Sequence, residues 1–138
     1  MHTTNYFNTF IEIAEDCPVN QGEVPPLKPD KKTVANLQFE MLIDNPYKYD
    51  SDEVLFGVFA IRKELLSGEM EEQRKQYFSK GQPCFRSSPL TKRYGWGIHA
   101  NKNGKIALFA AHSEEYQNFL ADNSIKKVKA MRSKRAKK

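Results

Sequence analysis

The chain has 138 residues, and its share of hydrophobic residues, 39%, is enough for one ordinary core but not for two independent domains. No apolar run approaches the roughly 18 residues of a membrane helix, and the first residues lack the pattern of a signal peptide, so we expect a cytoplasmic protein with no membrane partner. The two cysteines, Cys17 and Cys84, form no CxxC pair. The absence of such a pair argues against a structural zinc site, and in a reducing compartment we expect both cysteines to be free thiols.

The positive charge of the chain is concentrated at one end. The formal net charge is +5, but eight of the 22 basic residues lie between 125 and 138, where no acidic residue occurs. The first 124 residues then carry 14 basic against 17 acidic residues, a net charge of −3. We therefore expect a globular domain over residues 1–124 and a basic, flexible tail over residues 125–138, as frayed helix or disorder.

The predicted elements begin with a strand. Apolar and polar residues alternate over residues 6–14, which indicates a strand with one apolar face. Residues 15–29 contain four prolines and Gly22, so this segment is predicted to be a loop.

Three helices are predicted next. Asp30 is placed to cap a helix that ends before Asn45-Pro46, because proline disfavours helical geometry in the preceding residue. Ser51 is placed to cap a second helix that runs to about Leu66, although its apolar run also suits a buried strand. Residues 69–78 carry charge pairs at helical spacing and predict a third, exposed helix.

The last third of the globular region predicts a hairpin and a final helix. Residues 94–110 contain two apolar runs around Asn103-Gly104, which is typical of a β-hairpin. Ser113 then starts a helix with acidic residues in its first turn. We expect an α+β fold: a small, mainly antiparallel sheet, made of the N-terminal strand and the hairpin near 94–110, packed against three to four helices.

The strongest functional signal is the polar segment of residues 79–93. Its cations and hydroxyl groups suit a phosphate or carboxylate, because guanidinium and hydroxyl donors satisfy oxyanions. An ordinary solvated loop is the alternative interpretation. Together with two nearby aromatic residues, the predicted ligand-binding set for an anionic small molecule is Lys80, Arg86, Ser87, Ser88, Lys92, Arg93, Trp96 and His99.

Alternation along residues 94–99 places Gly95, Gly97 and His99 on one face of a strand. The two glycines leave a strip of this face without side chains, which indicates close approach by another element or by a ligand. A helix packed on the glycines, with His99 hydrogen-bonded in the core, is one interpretation. A flat-floored pocket in which His99 transfers a proton is the other.

Enzymatic activity is an alternative that the sequence leaves open. A hairpin can return Cys84 close to His99, as nucleophilic thiol catalysis requires, although a cysteine between proline and phenylalanine is more often a small buried hydrophobe. The histidines are scattered without metal-ligand spacing, and motifs for dinucleotides, phosphate loops or hydrolase nucleophiles are absent. We expect no metal and no cofactor.

The basic tail suggests a further alternative, an accessory protein for nucleic acids. Eight cations over residues 125–138 can neutralise phosphates non-specifically and in a salt-dependent way. The tail has no aromatic residue for base stacking, so sequence-specific recognition is not expected.

Three stretches, residues 1–11, 41–49 and above all 79–99, resemble those of a family of small bacterial proteins classed as domain of unknown function 6157. The likeness covers about residues 1–119. It implies a bacterial, cytoplasmic origin and brings no activity with it. The basic tail lies beyond the resemblance.

Overall fold

A computed structural model describes residues 2–134, within which five α-helices and four strands occur. The strands are β1 (Thr9–Glu12), β2 (Trp96–Ala100), β3 (Ile106–Ala110) and β4 (Lys126–Lys129). The helices are α1 (Val34–Ile43), α2 (Ser51–Arg62), α3 (Met70–Tyr77), α4 (Pro89–Lys92) and α5 (Glu114–Ala121). Short 3-10 turns cover Ser67–Glu69 and Phe85–Ser87. The α+β class predicted from the sequence is confirmed.

The four strands form one mixed sheet in the order β3-β2-β1-β4. β1 pairs antiparallel with β2, with Phe10 opposite His99, and β2 and β3 form the predicted hairpin around Gly104, whose φ is +82°. β4 lies on the other side of β1 and pairs with it in parallel. The sheet is therefore antiparallel over three strands and parallel at one edge.

β1 is shorter than the strand predicted over residues 6–14. Asn8, directly before it, has a φ of +48°, which interrupts extended geometry, and asparagine is one of the residues that tolerates this region best. The preceding residues instead cover the start of α2. There the backbone N–H and the hydroxyl of Thr4 both donate to Asp52 Oδ1 at 2.7 Å.

The first two predicted helices form, but each has a different N-cap from the predicted one. Thr33, not Asp30, caps α1: its hydroxyl accepts from Asn36 N at 3.2 Å, while Asn36 Oδ1 accepts from Thr33 N at 2.9 Å. Asp50, not Ser51, caps α2 in the same reciprocal way with Glu53. In both cases the residue three positions after the cap completes a capping box, which decides between neighbouring candidates.

The sheet separates two parts of the core. On one face, Ile11, Ile98 and Ala100 pack with residues of α1 and α2. On the other face, Phe10 packs with Tyr116 of α5, ring centroids 4.9 Å apart. Helices thus cover both faces. A third apolar cluster, which includes Phe56 and Phe78, joins α2 to α3.

The prediction of frayed helix or disorder beyond residue 125 is wrong for β4. The free edge of the buried strand β1 presents backbone groups that need hydrogen-bond partners, and β4 provides them. Ile125 before the strand and Ala130 after it are both buried, and Lys129 and Arg132 form ion pairs with Glu15 at 3.3 and 3.1 Å. Residues 135–138, the last part of the predicted tail, lie outside the described residues. Among residues 2–134, no helix has both the length and the apolar character needed to cross a membrane.

Candidate functional site

The residues of the predicted anion site are brought to several separate places. Lys80 and Arg93 are exposed, and Lys92 is half-buried at the end of α4. Arg86 Nε donates to the carbonyl oxygen of Lys129 at 2.6 Å. The loop therefore does not gather its cations around one ligand.

Arg86 and Ser87 hold the C-terminal segment in place. Besides its bond to Lys129, Arg86 accepts at its own carbonyl oxygen from Met131 N at 2.7 Å. The hydroxyl of Ser87 donates to Met131 Sδ at 3.1 Å. Both residues therefore have a structural role: they bind the end of β4 and the residues that follow it.

Ser88 has a buried role in the core. Its hydroxyl accepts from Leu90 N at 3.1 Å, which caps α4, and donates to Gln38 Oε1 at 2.5 Å. Both residues are nearly inaccessible to solvent, at 4% and 2% exposed. Ser88 therefore fixes the orientation of the Gln38 amide.

Trp96 packs against the proline-rich loop. Its indole N–H donates to the carbonyl oxygen of Glu23 at 2.8 Å, and its ring centroid lies 5.4 Å from that of Phe39. Gly22 lies so close to the indole that an added Cβ would be 3.0 Å from Trp96 Cζ2. Trp96 is thus occupied in holding the loop of residues 15–29 against the domain.

The flat-floored pocket suggested for the glycine face is not present. A Cβ on Gly97 would lie 2.6 Å from both Phe10 Cζ and Tyr116 Cε2, because α5 packs on that face. Gly95 has a φ of +77° and is approached by the backbone of Gln21 instead. The alternative interpretation, with a helix packed onto the glycine strip, describes Gly97 correctly.

His99 is half-buried among aromatic rings. Its Nδ1 shares a hydrogen bond of 2.8 Å with the hydroxyl of Tyr47, and its ring stacks on Phe119 with centroids 4.4 Å apart. Burial lowers the pKa of His99, and the nearby carboxylate of Asp122 opposes part of that effect. His99 therefore favours the neutral form.

Cys84 and His99 are not partners. Cys84 Sγ lies 3.4 Å from the hydroxyl of Tyr6, which packs with the α1 and α2 face of the core, whereas His99 lies on the α5 face. Burial and the contact with Cys84 raise the pKa of Tyr6 to about 12. This geometry gives Cys84 a phenol as its neighbour rather than the imidazole base that thiol catalysis needs.

The cations of the tail are also partly engaged. Lys129 and Arg132 pair with Glu15, and Lys127 Nζ donates to the carbonyl oxygen of Asp122. The backbone N–H groups of Ser133 and Lys134 donate to the carboxylate of Asp16. These contacts hold the segment against the domain.

A cavity lies between α1, α2 and the end of α3, and we call it the inter-helix cavity. Its volume is about 830 Å³. Apolar and aromatic side chains make up half of its lining: Val34, Leu37, Leu55, Val58, Phe59, Ile61 and Tyr77. A volume of this size is in the range of small-molecule sites, which combine apolar surface with a few polar groups.

Four cations lie around this cavity, in two adjacent pairs. Lys31 and Lys32 precede α1, and Arg62 and Lys63 end α2. Because α1 and α2 follow one another through a short connection, the start of the first lies beside the end of the second. Lys32 Nζ pairs with Glu40 at 2.7 Å, and no other ion pair of these four cations occurs within residues 2–134.

Two amides and one carboxylate complete the lining. Gln38 is one of the lining residues, and its amide oxygen accepts the hydrogen bond from Ser88. Gln82 is anchored through Nε2, which donates to the carbonyl oxygen of Tyr77 at 2.7 Å. Glu64 is the carboxylate of the lining.

Sequence reasoning missed this site, because it searched one polar loop for a cluster of cations. The available signal was the pair of dibasic steps, Lys31-Lys32 and Arg62-Lys63, at the ends of two consecutive helices. Of the predicted segment, only Gln82 lines the cavity directly and Ser88 acts on it through Gln38.

A second, smaller hollow of about 490 Å³ lies on the other side of α2, between Phe56, Met70 and Arg74. Ile61 and Glu64 border both cavities. Within residues 2–134, no group of three or more His, Cys, Asp or Glu side chains is arranged to hold a metal ion.

The fold and the inter-helix cavity together define a small α+β domain with an apolar, cation-rimmed cavity between helices. The model of a family of unknown function, DUF6157, matches residues 1–136, and the chain belongs to that family. The match includes most of the basic segment, so the expectation that the resemblance ends near residue 119 and leaves the tail outside it is wrong. A search of the curated proteins and a search of the solved structures found no match.

Proposed function

We propose that the protein is a binding module for a small amphipathic anion, held in the inter-helix cavity. The observation that supports this proposal most directly is the combination of an apolar lining with the basic pairs Lys31-Lys32 and Arg62-Lys63 around one cavity of about 830 Å³. The expected ligand has a carboxylate or phosphate group and an apolar body. The class of ligand is the one expected from the sequence, but its place is different.

The cations and the apolar lining have separate roles in this proposal. Arg62 and Lys63 end α2, where their charges also suit the negative end of the helix dipole. An anionic ligand group beside them gains charge-assisted hydrogen bonds, which are stronger than neutral ones. Burial of the ligand's apolar body against Leu37, Val58 and Phe59 contributes the larger part of the affinity, at roughly 25 cal/mol per Å² of buried apolar surface.

Octanoate and octanol provide a matched pair of probes, because they share an apolar chain and differ in charge. Octanoate is expected to raise the melting temperature of the full chain more than octanol does. A ligand at 100 times its Kd adds about 2.7 kcal/mol to the free energy of unfolding. The double variant Arg62→Gln, Lys63→Gln should reduce the octanoate effect and leave the octanol effect in place.

Lys102→Gln is the control. It removes an exposed cation at the β2–β3 turn, and Lys102 does not line the cavity. It should bind octanoate as the wild type does. An equal octanoate effect in the wild type and the double variant, or no octanoate effect at all, would contradict the proposed site.

We also propose that the protein acts in the bacterial cytoplasm. The support is the family resemblance in the sequence and the free state of both cysteines, Cys17 and Cys84. Recovery of the untagged protein in the soluble cytoplasmic fraction of its host tests this proposal, and recovery with the envelope fraction would contradict it.

A further inference from the structure

Glu64 occupies a backbone position that favours glycine. It directly follows Lys63, the C-cap of α2, and its φ is +53°. Glu64 N donates to the carbonyl oxygen of Ile61 at 3.1 Å, and Leu65 N donates to that of Ala60 at 3.0 Å. These two bonds define a Schellman motif with Glu64 at its left-handed position, where glycine carries no steric cost and glutamate does.

Glu64 is a lining residue of both hollows beside α2. Glu64 is the carboxylate among the lining residues of the inter-helix cavity, which otherwise carries four cations. Within residues 2–134, no lysine or arginine nitrogen lies within 4.0 Å of its carboxylate oxygens, so it forms no ion pair there. A negative charge thus lies at the edge of a basic site and remains available to a ligand.

A carboxylate at this place is unfavourable for a ligand that is only an anion. It lowers the positive potential of the cavity and repels the anionic group. The same carboxylate is favourable if the ligand also has a protonated amine, because an ammonium group donates charge-assisted hydrogen bonds to it. One site then contains partners for both charges of such a ligand.

We infer that the ligand of the inter-helix cavity is an apolar zwitterion, whose ammonium group binds Glu64 while its anionic group binds the cations at the ends of α1 and α2. This inference rests on the proposed function and specifies its ligand class. An amino acid with a long apolar side chain has the required groups: carboxylate and ammonium at one end, and a body for the apolar lining. Glu64 then serves as the residue that distinguishes a zwitterion from a simple anion.

Three probes with comparable unbranched chains separate the contributions of the carboxylate and the ammonium group to binding: octanoate, 2-aminooctanoate and octylamine. Isothermal titration of the full chain should give a Kd for 2-aminooctanoate about fivefold lower than that for octanoate. Octylamine, which lacks the anionic group, should bind more weakly than either. In Glu64→Gln the preference should reverse, with tighter octanoate binding and weaker 2-aminooctanoate binding.

Two further variants test whether a change in stability, or the loss of any surface carboxylate, could by itself change the preference for 2-aminooctanoate. Glu64→Gly should raise the melting temperature, because it relieves the left-handed strain, and should still lose the preference for 2-aminooctanoate. Glu71→Gln removes a carboxylate on exposed α3 that pairs with Lys75 and does not line the cavity, and it should keep the wild-type preference.

The outcomes separate the inference from the proposal beneath it. Equal or tighter binding of octanoate by the wild type, or an unchanged preference in Glu64→Gln, overturns the inference and leaves the proposed anion site standing. Failure of octanoate to bind overturns the proposed function and, because the inference rests on it, the inference as well.

Discussion

The hydroxyl of Ser88 donates a hydrogen bond of 2.5 Å to Gln38 Oε1, and both side chains are almost completely buried. This bond joins the start of α4 to the middle of α1. Gln38 is also one of the residues that line the inter-helix cavity. Ser88, a residue of the polar loop, is therefore linked to the candidate site through Gln38 and does not itself line the cavity.

Ser88→Ala is expected to lower the free energy of unfolding by about 2 kcal/mol, because it removes the cap of α4 and the partner of a buried amide oxygen. Urea denaturation followed by circular dichroism measures this change. Ser67→Ala, at an exposed position, is the control and should change stability by less than about 0.5 kcal/mol. Equal stability of the two variants would show that the Ser88–Gln38 bond contributes nothing.

Gly97→Ala is expected to destabilise the domain by about 1–3 kcal/mol, because the new methyl group would overlap Phe10 and Tyr116 on the α5 face. Chemical denaturation again provides the measurement. Gly68→Ala is the matched control, since a Cβ there meets no atom within 4 Å. A neutral result for Gly97→Ala would mean that α5 does not pack on β2 as described.

Ile125→Ala tests whether the basic segment belongs to the folded domain. The side chain is only 9% exposed and packs with the cluster around Phe10, so we expect a loss of about 2 kcal/mol or more. Leu27→Ala, at a position 71% exposed, should be nearly neutral. Hydrogen exchange gives an independent readout: the amides of Lys126 and Ala130, which donate to Asn8 and Glu12, should be protected. Rapid exchange at both would place the segment outside the sheet.

The stability of the protein should decrease as the pH falls below about 6.5, the ordinary pKa of histidine. Burial lowers the pKa of His99 in the folded state, so in this window the unfolded chain binds more protons than the folded one. His99→Gln keeps a polar side chain beside Tyr47 and should show a shallower decrease between pH 6.5 and 5. Above pH 8, where the imidazole is neutral in both states, the two stability curves should run parallel. Identical slopes below pH 6.5 would argue against a buried, neutral His99.

The regular elements were predictable because local patterns determine them. The hairpin followed from its apolar runs and Gly104, and α2 from its acidic first turn and apolar spacing. The caps were misplaced by one to three residues, because Thr33 and Asp50 are selected by a partner three residues later rather than by their own type. β4 was missed for a different reason: its lysine-rich sequence has little strand character, and only the unpaired edge of β1 explains it.

The candidate site was less predictable than the fold. Cations in one loop looked like a site because they are close in sequence, yet Arg86 bonds the backbone of β4 and Arg93 is exposed. The two pairs of cations that do share a cavity lie just before α1 and at the end of α2, about 30 residues apart in the chain. Their proximity depends on how α1 and α2 pack together, and local sequence patterns do not predict this packing.

The position of β1 between β2 and β4 has a consequence for biosynthesis. Its residues leave the ribosome well before those of β4, because the strand that completes its second edge follows more than a hundred residues later. Until residue 130 has emerged, β1 has an open edge that any other extended chain can occupy. Pairing over such a distance in sequence is slow, so the sheet closes only some time after β4 has been synthesised. A nascent chain stalled before residue 125 should consequently recruit chaperones more strongly than one stalled after residue 134 has cleared the exit tunnel.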